Sequence, residues 1–357
     1  MANLFLTISL VCNIFFHTKD ASQDLLKACK NDNLEGVKLA LKAGANANVK
    51  DNKGNSALIY ACLPKDSKEK HEIRKLLIEA GADVNAKDAS YEMTVLDWVY
   101  AAKDIATINI LLQHNVEING TDKSGGKVLL FALEMNADDF KANTYILELL
   151  ANKGLMLDPK WPKGASVFTE AAKRENIELI KFLLAHHISV NTTDKDGNTA
   201  LMEACKNANV SIVKLLLENK ADVNIKATGG WVKGSTALIE AMNKPNVEIV
   251  NLLIDKGADV NAKTSEGRTT LMKLGEGTNA VEVATLLISK GVDVNAKATN
   301  GWTALHSAAI SGNLALVKLL LSKKADSKAK DENTQTPLDY AKSANKTDVV
   351  QLLSKYK

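Results

Sequence analysis

A five-residue phrase, Gly257, Ala258, Asp259, Val260, Asn261, returns with small changes along almost the whole chain. It begins at Gly44, Gly81, Asn115, Gly154, His187, Lys220, Gly257, Gly291 and Lys324, in steps of 37, 34, 39, 33, 33, 37, 34 and 33 residues. Self-similarity at such a period means one supersecondary unit repeated, each copy unable to bury its apolar face alone, so that neighbours must stack. The shortest steps define the unit, and the longer ones carry inserts.

About twelve residues after most of these phrases stands a hydroxyl residue, then a small one, then Leu: Ser56, Ala57, Leu58; Thr199, Ala200, Leu201; Thr236, Ala237, Leu238; Thr303, Ala304, Leu305; Thr336, Pro337, Leu338, with Thr94, Val95, Leu96 and Thr269, Thr270, Leu271 as variants. The hydroxyl caps a helix, and a first-turn Pro loses nothing because its amide would be orphaned there. Further on, Val213, Leu215, Leu216 and Leu217, or Ile249, Val250, Leu252 and Leu253, form a second apolar helical stripe. It stops at Gly, Asn, Lys or His, and Gly is the favoured residue for the left-handed turn that ends a helix.

Each unit therefore reads as turn, short helix, turn, longer helix, turn. In this the chain resembles the ankyrin repeat family, whose pattern runs Asp, two variable residues, Gly, variable, Thr, Pro or Ala, Leu, His, a paired Ala, and a closing Gly, Ala, Asp, Val, Asn. The unit from Asp194 to Lys226 follows that pattern almost throughout, and the unit from Ala298 to Lys330 keeps the family's His at His306. Residues 88 to 160 follow it poorly. The resemblance implies an all-α fold of helix-turn-helix-hairpin repeats stacked in a curved solenoid. The expected array occupies residues 24–357 in about ten units with terminal caps, leaving no stretch for a separate catalytic domain.

Composition agrees with thin, closely packed helices: 46% hydrophobic residues but only 5% aromatic. Such a core of Ala, Leu, Val and Ile implies no large cofactor pocket. A formal charge of +3 from 45 basic and 42 acidic residues is too small to mark a general nucleic-acid or membrane-surface binder, so any electrostatic preference rests on arrangement.

Residues 1–23 break the repeat. Leu4 to Phe16 is an apolar run followed by polar His17 to Gln23. It is too short to span a bilayer and fits a signal-peptide core, so the expected compartment is exported, periplasmic or secreted. Met1, Ala2 and Asn3 carry no cation, Ala21 and Gln23 are the best of the poor cleavage candidates, and Cys12 lacks the flanks of a lipoprotein site. A cytoplasmic protein, or one held at a membrane surface by an uncleaved N-terminal segment, is the alternative.

Cys29, Cys62 and Cys205 each follow an Ala at one place in the first helix, where the family has the second member of its Ala pair. They are expected as buried small thiols and not as a disulfide framework. The spacing Gly275, Gly277, Ala280 imitates a dinucleotide loop, but it follows a predicted helix over Thr269 to Leu274 instead of a strand. Asp194 to Asn198 imitates a calcium loop, but Gly197 comes too early and Cys205 stands where a bidentate Glu is needed. His186 and His187 are expected to point to different faces of a helix end, unlike a metal-binding pair four apart on one face. No acid–base pair, nucleophile constellation, metal spacing or cofactor motif survives, and the expectation is a protein that is not an enzyme.

His306 is implied by the resemblance to hydrogen-bond backbone between adjacent hairpins. The resemblance also implies that the hairpin fingers and the outer face of each first helix line one binding surface. Here that surface includes Lys53, Asn55, Trp161, Lys163, Lys173, Arg174, Lys195, Asp196, Asn198, Lys206, Asn207, Trp231, Lys233, Asn243, Lys244, Arg268, Trp302 and Ile310. Cations outnumber acids among them, with Glu266 and Glu276 as the main dissent. Trp161, Trp231 and Trp302 fall on fingers, and exposed Trp among Arg and Lys is hot-spot chemistry. The bland reading is that each Trp folds back over its own hairpin.

The expected partner is a protein with an acidic and apolar face, bound through Trp161, Lys173, Arg174, Lys195, Lys206, Trp231, Lys233, Lys244, Arg268 and Trp302. The alternative is a polyanion or nucleic acid in the same groove, although a stripe of many Arg is missing. Of the two inserts, the extension before Gly234 is expected to lengthen a projecting finger, and Pro64 to Lys70 to form a solvated loop.

Overall fold

The computed structural model describes residues 21–63, 69–118, 132–133, 137–157, 166–230, 233–274 and 279–356. Its described residues are helical, with only isolated bridges, such as Thr193 to Thr199, at the bases of fingers. The chain divides into two units, Met1–Pro162 and Lys163–Lys357.

In the first unit, α1 (21–30) and α2 Leu34–Lys42 are followed by α3 Ala57–Cys62, α4 Lys70–Glu79, α5 Val95–Ala101, α6 Ile105–Gln113 and α7 Ala137–Asn152. First helices pack on first helices (α3 on α5) and second on second (α2 on α4, α4 on α6).

The second unit is more regular. Its first helices are α8 Val167–Lys173, α10 Ala200–Asn207, α12 Ala237–Glu240 with a 3-10 turn Ala241–Asn243, α14 Thr270–Lys273, α16 Ala304–Ser311 and α18 Pro337–Ser343. Its second helices are α9 Ile177–Ala185, α11 Val210–Glu218, α13 Val247–Asp255, α15 Ala280–Ser289, α17 Leu314–Ser322 and α19 Thr347–Leu353. From α11 to α19 each second helix packs on the next, and α8 packs on α10 as α16 does on α18.

The capping chemistry explains where these helices begin. Ser56, Thr94, Ser166, Thr199, Thr236, Thr303 and Thr336 each accept a hydrogen bond from an amide in the first turn of their helix, as expected from the hydroxyl phrase. Thr269 has the extended backbone of a cap but makes no such bond. Most second helices start at Asn: Asn33, Asn176, Asn209, Asn246 and Asn313 cap in the same way. Their apolar stripes are buried, Ile212, Val213, Leu216 and Leu217 being one layer, and each such side chain contributes about 1.5–3 kcal/mol of transfer free energy. The thiols of Cys29, Cys62 and Cys205 are free and buried as expected. Burial pushes the first two up to about 12, which leaves them unreactive.

The recurrent phrase is both a helix stop and an inter-repeat clasp. Its first residue takes a positive φ whether it is Gly257 (85°) or Lys220 (65°), so the non-glycine copies carry local strain. Its Asp closes a turn onto the amide two residues on, as Asp222 does for Asn224 at 2.8 Å. The Asn then reaches the next copy: Asn224 donates to the Gly257 carbonyl at 2.9 Å and accepts from the Asp259 amide at 2.9 Å. Asn48 and Asn295 make the same pair of bonds.

Fingers join through backbone as well. Amides of Thr228, Ser265, Thr299 and Glu332 donate to carbonyls of Asp196, Lys233, Glu266 and Asn300 on the preceding finger. This closeness is why a finger needs its glycine. At Gly234, with φ of 83°, a Cβ would lie 2.7 Å from the Ser265 nitrogen. The extended finger is closed at its base by Gly234 N–H to Ala227 and Ala227 N–H to Ser235.

One expectation is corrected. Lys70 is not part of a solvated loop, since it opens α4 and is only 4% exposed. Its ammonium donates to the Leu63 carbonyl and lies 3.6 Å from Asp32. Four residues on, Arg74 donates to the Ala61 carbonyl at 3.0 Å and to Asp104 at 2.7 Å. Two buried cations on one helix thus take up carbonyls at the end of α3 and carboxylates from the units on either side.

Candidate functional site

The surface of interest runs over the fingers and first helices of the second unit. Trp161 and Trp231 lie outside the described residues. Lys173 and Arg174 stand at the end of α8, Lys206 near the end of α10, Lys195 and Lys233 on fingers, and Lys244 just beyond the 3-10 turn of α12, all exposed. Arg268 and Trp302 come together across one groove.

That groove is an open cleft of about 760 Å³ built by three successive repeats. Met242, Asn243 and Pro245 form one side, Arg268, Met272 and Lys273 the middle, and Asn300, Trp302, Ser307, Ile310 and Ser311 the other side. Ile310 is 38% exposed. Its neighbours on α16, Ala308 and Ala309, are fully buried, which is why the exposed residue of this turn is free to differ.

Trp302 takes the fold-back arrangement and is half-buried. Its indole N–H donates to Ser307 Oγ at 2.7 Å, and its ring meets Tyr340 edge-on at 4.6 Å and His306 at 5.2 Å. His306 is placed as the resemblance implied. Its Nε2 lies 3.1 Å from the Gln335 carbonyl, and its Nδ1 accepts from the Thr303 amide at 3.2 Å, so the network places the proton on Nε2. Burial pushes this imidazole below its ordinary value. Protonation at Nδ1 would also set two donors against each other.

The charge pattern differs from the cationic surface expected. One register position, directly before the small residue of the first helix, supplies Glu170, Glu203 and Glu240 on successive repeats. Glu170 pairs with Arg174 at 2.9 Å and Lys173 at 3.5 Å; Glu203 lies 4.0 Å from Lys206; Glu240 pairs with Lys273 at 3.2 Å; Glu266 pairs with Arg268 at 3.0 Å. Burial pushes the Glu203 carboxyl up, with Lys206 and Lys173 opposing and Glu240 and Asp194 adding to it. Glu240 is buried, held by Ser235, Asn243 and Lys273. Lys195, Lys233 and Lys244 make no ion pair among the described residues. Aligning the repeats on their Thr would have revealed the acidic row. Of the groove's lining, Asn243, Arg268, Trp302 and Ile310 were among the surface positions the resemblance implied, whereas Met242, Met272 and Lys273 were not.

Among the described residues no cluster of His, Cys, Asp or Glu could hold a metal ion, and no helix is long and apolar enough to cross a membrane. The described part of the nucleotide-like spacing is Ala280, which opens α15; residues 275–278 lie outside the description.

Paired helices, linked fingers and a side-chain-lined groove define a helical repeat protein of the ankyrin class. The sequence profile described as ankyrin repeats (3 copies) matches residues 4–88, 25–122, 135–227, 226–298 and 275–357, so the chain belongs to the ankyrin repeat family. It is 28% identical over 55% of its length to a putative ankyrin repeat protein of Rickettsia bellii, and 27% identical over 43% to human ankyrin repeat and SOCS box protein 6. Those alignments span only 26% and 36% of the two relatives. The putative ankyrin repeat protein YahD of Escherichia coli is 28% identical over 51% of this chain and 89% of its own. Ankyrin repeats generally mediate protein–protein interaction.

Proposed function

We propose that this protein is a non-enzymatic scaffold that binds a partner protein through the fingers and first helices of residues 163–357. The observation that carries the reading is the groove between Met242 and Ser311. Three repeats contribute to it, and exposed Ile310 and half-buried Trp302 give it apolar surface. Exposed Lys195, Lys233 and Lys244 supply long-range steering toward an acidic partner. A polyanion is the weaker reading, because Lys173, Arg174, Lys206 and Lys273 already face carboxylates.

The apolar run Leu4 to Phe16 supports export as the route by which the scaffold meets its partner. Crosslinking of the tagged chain in its own cell, with mass spectrometry of its N-terminus and of the captured proteins, tests both parts. Trp231→Ala with Ile310→Asp should abolish retention of the dominant partner while the helical circular dichroism is unchanged. Retention unchanged by both substitutions defeats the reading, and an intact Met1 defeats export.

A further inference from the structure

We infer that the groove between Met242 and Ser311 receives an extended peptide segment of the partner, with a carboxylate side chain beside an apolar one. The inference rests on the scaffold reading and assigns the chemistry of what the scaffold holds. Among the described residues, those lining the groove include two cations, Arg268 and Lys273, and no carboxylate. Arg268 is 55% exposed and is bonded to Glu266 through Nε alone, so both Nη nitrogens are without a partner among the described residues. That leaves a fork that matches a carboxylate in bidentate fashion. Lys273 is different: Glu240 lies behind it, buried, and already takes its charge. Arg268 is therefore the group that selects the acid.

The apolar neighbour has its own seat. Met242, Pro245, Met272, Trp302 and Ile310 line the same cleft, the two Met buried and Ile310 the exposed apolar side chain among them. Backbone groups of an extended segment must also be satisfied when water is displaced. Asn243 spends its Nδ2 on Glu240 and keeps Oδ1 as an acceptor, and Asn300 spends its Oδ1 on the Trp302 amide and keeps Nδ2 as a donor. An acceptor and a donor without a partner among the described residues, on opposite sides of the groove, suit a peptide N–H and C=O. A compact apolar ligand would leave both unused.

The experiment is selection of a displayed random peptide library on the full chain, in parallel with the Arg268→Glu variant. Arg268 is exposed, and the one ion pair of its side chain among the described residues is to Glu266, so a matching helical spectrum and melting curve are expected for the variant. The wild-type pool should be enriched in Asp or Glu within two positions of Leu, Ile, Met or Phe. The best such peptide should bind Arg268→Glu about tenfold more weakly, and its Glu→Lys version should recover on the variant. Peptides that bind both proteins equally, or carry no acid–apolar pair, overturn the assignment while the scaffold reading stands on their capture. A pool with no specific binder overturns the assignment; failure of in-cell capture as well defeats the scaffold reading.

Discussion

Tyr340 donates its phenolic hydrogen to Asp331 at 2.6 Å, nine residues back across its own finger. The other oxygen of Asp331 accepts from the amides of Asn333 and Gln335, so one carboxylate closes the finger turn and ties it to the following helix. The arrangement recurs where Tyr60 reaches Asp51 at 2.5 Å and Trp98 reaches Asp88 at 3.3 Å. Burial opposes ionisation of Asp51, but hydrogen bonds from Tyr60, Asn55, Lys30 and Lys53 outweigh it and hold the carboxyl at about 2.

The Tyr340 hydroxyl is the main reason why the Asp331 carboxyl sits below its ordinary 3.8. A depressed carboxyl stabilises the fold above the unfolded value and loses that contribution as pH falls through the folded one. Tyr340→Phe is therefore expected to lower Tm at neutral pH, with the gap to wild type closing below about pH 3.8. Parallel melting curves from pH 7 to 2.5 check it, and a gap independent of pH contradicts the carboxylate as its source.

His306 titrates in the opposite sense of charge. Because its folded value lies below the ordinary 6.5, the unfolded chain takes up the proton first as pH falls. Stability is full above 6.5 and declines from there down to the folded value, below which it is level. His306→Gln keeps a donor for the Gln335 carbonyl and removes the titration. Urea midpoints measured from pH 7.5 to 5 should fall more steeply for wild type than for the variant; parallel slopes refute the assignment.

Arg74 is 6% exposed and holds both the Ala61 carbonyl and Asp104. Arg74→Met fills much of the same space but leaves that carboxylate to Thr107 and His71. Removing one partner of a buried pair costs about 3 kcal/mol. Denaturant unfolding should show a loss of that order. A loss under about 0.5 kcal/mol, the size of an ordinary surface change, would show that Asp104 is satisfied without the guanidinium.

The repeat, its helix starts, the left-handed stop at each phrase and the role of His306 were all readable in the sequence. Each rests on contacts within a few residues, or on a spacing that recurs: a Thr caps the amide three residues on, and an Asp closes onto the amide two residues on. Pairs such as Ala28 and Cys29, Ala61 and Cys62, Ala171 and Ala172, Ala204 and Cys205, and Ala308 and Ala309 are small at the same place because each meets a neighbouring first helix. By itself, then, the sequence determined the unit, its local geometry and the direction in which copies add.

Tertiary structure decided what depends on which side chain of one unit meets which of another. Lys70 reads as loop charge until Asp32 and the Leu63 carbonyl surround it. Lys273 finds Glu240 of the preceding repeat beside it only once the repeats stack, and Trp302, which the sequence left between projecting and folding back, packs against Tyr340 of the next repeat. Charge pairing and aromatic packing act over a few ångströms, and residues as far apart in the chain as Glu240 and Lys273 are brought to that distance only by stacking.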